Sequence, residues 1–148
     1  MSRRITLGLC AGWVLLTGYW LWSGHPVLLL PLLDDPAIPL GNWITAMGLV
    51  ALATIGVLLL TDRKTNHSRV DAYLAGGQRG LVYLAVFWWP VGALLSGNLS
   101  NTFTPANTFQ GSALAMQLFW SYTLAVVILP VVLVMVRAGL RRGYRRNQ

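Results

Sequence analysis

Four long apolar runs, parted by polar or proline-broken segments, set the organisation of this chain. They cover about residues 5–23, 43–61, 81–96 and 114–136. Crossing the hydrocarbon of a bilayer takes roughly 20 apolar residues, with about 17 as a lower limit. The pattern predicts an all-α protein of four transmembrane helices forming a single domain over residues 1–148. The third run is the shortest. It must stand nearly upright, thin the bilayer, or borrow length from Tyr73-Leu74-Ala75-Gly76-Gly77 before it.

The connections differ in kind. Residues 24–42 hold an apolar stretch from Val27 to Leu33, punctuated by Pro26, Pro31, Pro36 and Pro39. Proline at that density excludes a regular helix. Unpaired backbone does not lie in hydrocarbon, so an extended loop is expected, resting at the interface or against the helices. Residues 62–80 read as a polar, charged connection. Residues 97–113 are rich in Asn, Thr, Ser and Gly, carry no charge, and include the triplet Asn98-Leu99-Ser100 of a glycosylation acceptor.

Charge turns this pattern into a threading. Arg3 and Arg4 open the chain, Arg63, Lys64, Arg69 and Arg79 share one internal segment, and Arg137, Arg141, Arg142, Arg145 and Arg146 close it. All eleven basic residues can therefore lie on one side, and basic residues collect on the cytoplasmic side of membrane proteins. Both ends are expected in the cytoplasm, the chain sitting as a multi-pass protein in the inner (plasma) membrane. The opposite side carries only Asp34 and Asp35. Of all residues 55% are hydrophobic and 10% charged, too few for the surface of a soluble domain. The net charge of +7 follows from the threading and calls for no nucleic-acid partner. The basic tail 137–148 has topology enforcement as its leading role, with anionic lipid headgroups as a second contact for Arg137, Arg141, Arg142, Arg145 and Arg146. The first run resembles a signal peptide. Trp20 and Trp22 stand where a small-x-small cleavage site would be, and Leu9 before Cys10 spoils a lipobox, so an uncleaved first helix is expected.

The chemistry-bearing residues are sparse. The single cysteine, Cys10, rules out an intrachain disulfide or a CxxC centre. No Asp, Glu, Lys, Arg or His lies in the central part of a predicted span, where proton relays and ion pathways place such groups. The two histidines, His25 and His67, fall on opposite sides, which argues against a haem ligand pair. His25 with Asp34-Asp35 reads as a solvated acidic turn rather than a metal or hydrolytic site.

Small and polar residues inside the spans carry more signal. Gly8 and Gly12 form GxxxG. Thr45, Gly48, Ala51 and Thr54 recur every three residues, and Gln117, Ser121 and Ala125 every four. Such faces let helices approach closely, within the chain or against a partner helix. Trp20, Trp22 and Trp43 suit an interfacial belt, whereas Trp13, Trp88 and Trp89 fall near mid-membrane. Trp88-Trp89-Pro90 is a candidate kinked platform for a quinone, carotenoid or lipid tail, and Pro130 should bend the last span.

These observations favour a non-catalytic membrane subunit, or an assembly or stabilising factor, of a larger respiratory, transport or secretion complex. Its partners are the bilayer and other integral membrane subunits, with no cofactor or metal expected and no enzymatic role. The alternatives are an immunity-type protector against a membrane-active toxin and a lipid- or quinone-binding membrane protein.

Overall fold

Helices dominate because the apolar runs give the backbone no water to bond and every amide must find a partner within its own segment. The computed structural model describes residues 2–34, 37–60, 69–99 and 109–146. They form α1 (Arg3–Ser23), a 3-10 turn (Pro26–Leu29), β1 (Pro31–Asp34), β2 (Ala37–Pro39), α2 (Leu40–Leu60), α3 (Arg69–Val86), α4 (Trp88–Ser96) and α5 (Ala113–Arg146). Three helices are long and apolar enough to cross a membrane: α1, α2 and residues 113–140 of α5. The pair α3–α4, bent by 50°, makes a fourth if it crosses as one broken span. The protein is thus all-helical in bulk and built as a multi-pass membrane protein would be.

The third predicted span needs correction. Residues 81–96 are not one helix, and residues 69–80 are not a connection. α3 starts at Arg69 and runs to Val86, and the chain breaks at Phe87 before α4. Pro90 explains the break. It has no N–H to give to the carbonyl four residues earlier, so the ladder stops and restarts with proline in the first turn of α4, where no donor is needed. Phe87, at φ −80° and ψ 0°, is the joint. Pro130, by contrast, does not interrupt α5, which continues past it as one helix.

Residues 24–42 also differ from an extended loop. Gly24 ends α1 in the left-handed region at φ 59°, its N–H bonding Trp20 O. The 3-10 turn follows, and β1 pairs antiparallel with β2, Pro31 opposite Pro39. Leu40 N–H closes the hairpin on Leu30 O at 2.7 Å. Leu28 and Ile38 are buried, so this segment folds back on the helix ends.

α2 is the hub. It touches α1, α3, α4 and α5, and its small residues permit close approach on more than one side. Thr17 of α1 packs on Gly48, and Gln78 of α3 packs on Gly56. On the remaining side a core of Leu49, Ala53, Ala85, Trp88, Phe119 and Val126 joins α2 to α3, α4 and α5. Hydrogen bonds from side chains to backbone carbonyls mark the two ends of the bundle. Arg3, the end of α2 and Arg137 meet at one end. The hairpin, the start of α2 and Leu99 lie at the other, where Asn42 Nδ2 donates to Leu99 O at 2.8 Å.

Candidate functional site

At the tail end, two arginines converge on the last carbonyls of α2. A helix leaves its final carbonyls without partners, and its C-terminus carries partial negative charge, so cations are favoured there. Arg3 Nη2 donates to Leu58 O at 2.5 Å. Arg137 is almost completely buried and donates through Nη1 to Leu60 O and, at 3.5 Å, to Leu59 O. The tail's first arginine is therefore built into the bundle and ties α5 to α2. The side chains of Arg141, Arg142, Arg145 and Arg146 lie outside the described residues.

Between the helices lie buried polar side chains, of which the residue pattern singled out Thr45 but not Gln78 or Thr17. Gln78 is fully buried. Its Nε2 donates to Ala53 O at 3.1 Å, while Oε1 has no hydrogen-bond partner among the described residues. Thr17 and Thr45 bury hydroxyls without a hydrogen-bond partner among those residues. A signal for Gln78 was present: Leu74, Gln78, Leu81, Val82 and Ala85 recur at helical spacing, with the glutamine inside an apolar stripe. The surrounding Gly-Gly-Gln-Arg-Gly composition hid it.

The predicted packing faces separate into two groups. Thr45, Gly48 and Ala51 are buried within the bundle. Gly8 and Gly12 are not: a Cβ at either, or at Gly18, would meet no heavy atom within 4 Å. Thr17 is the one buried residue of α1. Gln117 and Ser121 are likewise exposed on α5, on a face shared with Leu114, Leu118, Leu124 and Ile128, and Ala125 is half-buried.

The tryptophans also divide. Trp88 is a core residue, its N–H bonding Thr123 Oγ1 at 2.9 Å and its rings 6.0 Å from Phe119. Trp89 reaches toward the hairpin end. It stacks on Trp43 at 5.5 Å and donates to Leu99 O at 3.2 Å, both at the hairpin end. Trp13 is half-buried, with Nε1 lacking a hydrogen-bond partner among the described residues. Trp22 stands almost fully exposed at the end of α1. A largely apolar groove of about 580 Å³ runs beside Trp89, lined by Pro90, Ala93, Leu94 and residues 97–99. Of the expected Trp88-Trp89-Pro90 platform, Trp89 and Pro90 line this groove and Trp88 is in the core.

His25 caps the 3-10 turn, Nδ1 accepting from Val27 N–H at 3.3 Å. Asp35, His67 and the Asp34 side chain lie outside the described residues, as do Arg63, Lys64 and residues 100–108. Among the described residues no group of three His, Cys, Asp or Glu is placed to hold a metal ion. Comparison with protein families, with characterised proteins and with solved structures finds no match to this chain.

Proposed function

We propose that this chain is a non-catalytic subunit, or an assembly or stabilising factor, of a larger inner-membrane complex, with both ends in the cytoplasm. The observation that carries the reading is the state of α1. This helix of 21 residues buries one side chain in the bundle and turns Gly8, Gly12 and Gly18 outward with open space around them. Glycines facing lipid add nothing to helix–lipid packing and lower helix propensity, whereas glycines facing another helix allow close contact. The outward Gln117 and Ser121 on α5 support the same reading, because an amide in the membrane gains from a polar partner.

The test uses the protein in its native membrane. A photo-crosslinking residue at Gly12 should capture one integral membrane partner at fixed stoichiometry, without any toxin challenge. The double substitution Gly8→Ile and Gly12→Ile should reach the membrane at normal level and lose that partner. A protein that purifies alone, with α1 crosslinking only to lipid, would overturn the reading and favour the protector alternative.

A further inference from the structure

Arg79 stands apart from the other arginines whose side chains touch the helix bundle. Arg3 and Arg137 are engaged at the end of α2. Arg79 is exposed on α3 and makes no hydrogen bond or ion pair with a described residue. It nevertheless lies inside the bent pair that would cross as one broken span.

Depth follows from length. A helix rises 1.5 Å per residue, so Arg79 to Ser96 measures about 26 Å if straight, and less with the 50° bend. The hydrocarbon is about 30 Å thick. With Ser96 at the hairpin-end interface, the Arg79 backbone therefore lies several Å inside the hydrocarbon near the tail end, a depth from which the long side chain snorkels its guanidinium to the headgroups.

The surroundings of Arg79 at that level are specific. It lines a groove of about 320 Å³ between α2 and α3 with Thr54, Val57, Val82 and Tyr83. Tyr83 is one turn further along α3, on the same face as the guanidinium. Thr54 commits its hydroxyl proton to Val50 O at 2.7 Å, so the donors left for an anion in this groove are the Arg79 guanidinium and the Tyr83 hydroxyl. Val57 and Val82 supply apolar wall, and no carboxylate among the described side chains lines the groove. Gly76 and Gly80 flank Arg79 with nothing within 4 Å of a Cβ position, so a bulky group can approach the guanidinium. A planar guanidinium fork beside a phenolic O–H matches the oxygens of a phosphodiester. The apolar wall, with Val82 deeper along α3 than Arg79, matches the start of an acyl chain.

We propose that the Arg79–Tyr83 groove binds the phosphodiester of an anionic membrane phospholipid, with the first acyl carbons against Val57 and Val82. The inference is independent of the subunit reading, which rests on α1.

Native mass spectrometry of the detergent-purified chain tests it, with phosphatidylglycerol and phosphatidylcholine of matched acyl chains as probes. The wild type should retain one phosphatidylglycerol more tightly than any phosphatidylcholine. Arg79→Gln should weaken that binding about fivefold, the factor expected for one basic residue at an anionic surface. Tyr83→Ala should also weaken it, and Arg69→Gln, at the exposed start of α3, should leave it unchanged. Both Arg79 and Tyr83 are exposed, so neither change disturbs the core. If Arg79→Gln does not fold, Tyr83→Ala decides, and unchanged lipid retention in it overturns the proposal. Equal affinity for both lipids, an equal loss in Arg69→Gln, or displacement by millimolar inorganic phosphate overturns it too. The last result would make this a free-anion site.

Discussion

A single methyl group added at Gly48 probes the closest approach of α1 to the rest of the bundle. A Cβ there would sit 2.8 Å from Thr17 Cγ2, 3.0 Å from Oγ1 and 3.1 Å from Cβ. Carbon atoms prefer about 3.5–4.0 Å, so α1 must retreat or Thr17 must rotate by roughly 0.7–1 Å. Overpacking of this kind costs about 1–3 kcal/mol. Replacing glycine by alanine in a helix returns about 1 kcal/mol through propensity, a gain that Gly12→Ala would share without any clash. The difference between the two variants therefore isolates the steric term, at about 1–3 kcal/mol against Gly48→Ala. Thr17→Ala removes the two nearest atoms, so Gly48→Ala should cost about 1–2 kcal/mol less in that background, within the range of measured coupling energies. Reversible unfolding in mixed micelles, followed by helical circular dichroism, measures the wild type and all four variants. Equal stability of the Gly48 and Gly12 variants, or an unchanged cost in the Thr17→Ala background, would refute the packing argument.

Three further outcomes are expected. Arg137→Leu should destabilise the bundle by about 1.5–3 kcal/mol in the same unfolding assay, since it removes charged hydrogen bonds to the end of α2. Gln78→Leu should change stability by less than about 1 kcal/mol, because interhelical polar bonds in membranes average about 0.6, whereas Gly56→Ala makes the buried Gln78 amide move and should cost more, about 1–3 kcal/mol. Topology reporters fused after Gln148 or within residues 62–80 should read cytoplasmic and those near Asp35 or Asn101 external. A cytoplasmic reading at Asn101 would exclude a crossing by the bent pair.

The spans α1, α2 and α5 were legible because each needs only length and apolarity, and both are printed in the residues. α3 and α4 were less so. Their apolar positions carry a helical period through a glycine-rich, charged stretch, and composition alone makes that stretch resemble a connection. Pro90 was recognised as a kink, but the joint falls three residues earlier at Phe87, since proline disrupts the bond to the preceding turn rather than its own position. The 24–42 segment was misjudged because proline density excludes helix without excluding strand. Prolines at strand ends and edges do no harm, and Pro31 and Pro39 pair there. Small-residue faces were visible in sequence. Their direction was not: Gly48 and Gly12 look alike as residues, and only the position of Thr17 separates them.

The double hold on the end of α2 has a consequence in time. Arg3 precedes α2 in synthesis and is ready when Leu58 emerges, but Arg137 follows Leu60 by 77 residues. At roughly 5–20 residues per second, the ribosome leaves α2 without its second cation for about 4–15 s. Arg3 thus guards the growing chain and Arg137 the finished one. Loss of Arg3 would register as degraded nascent protein, while loss of Arg137 would register as a weaker mature fold.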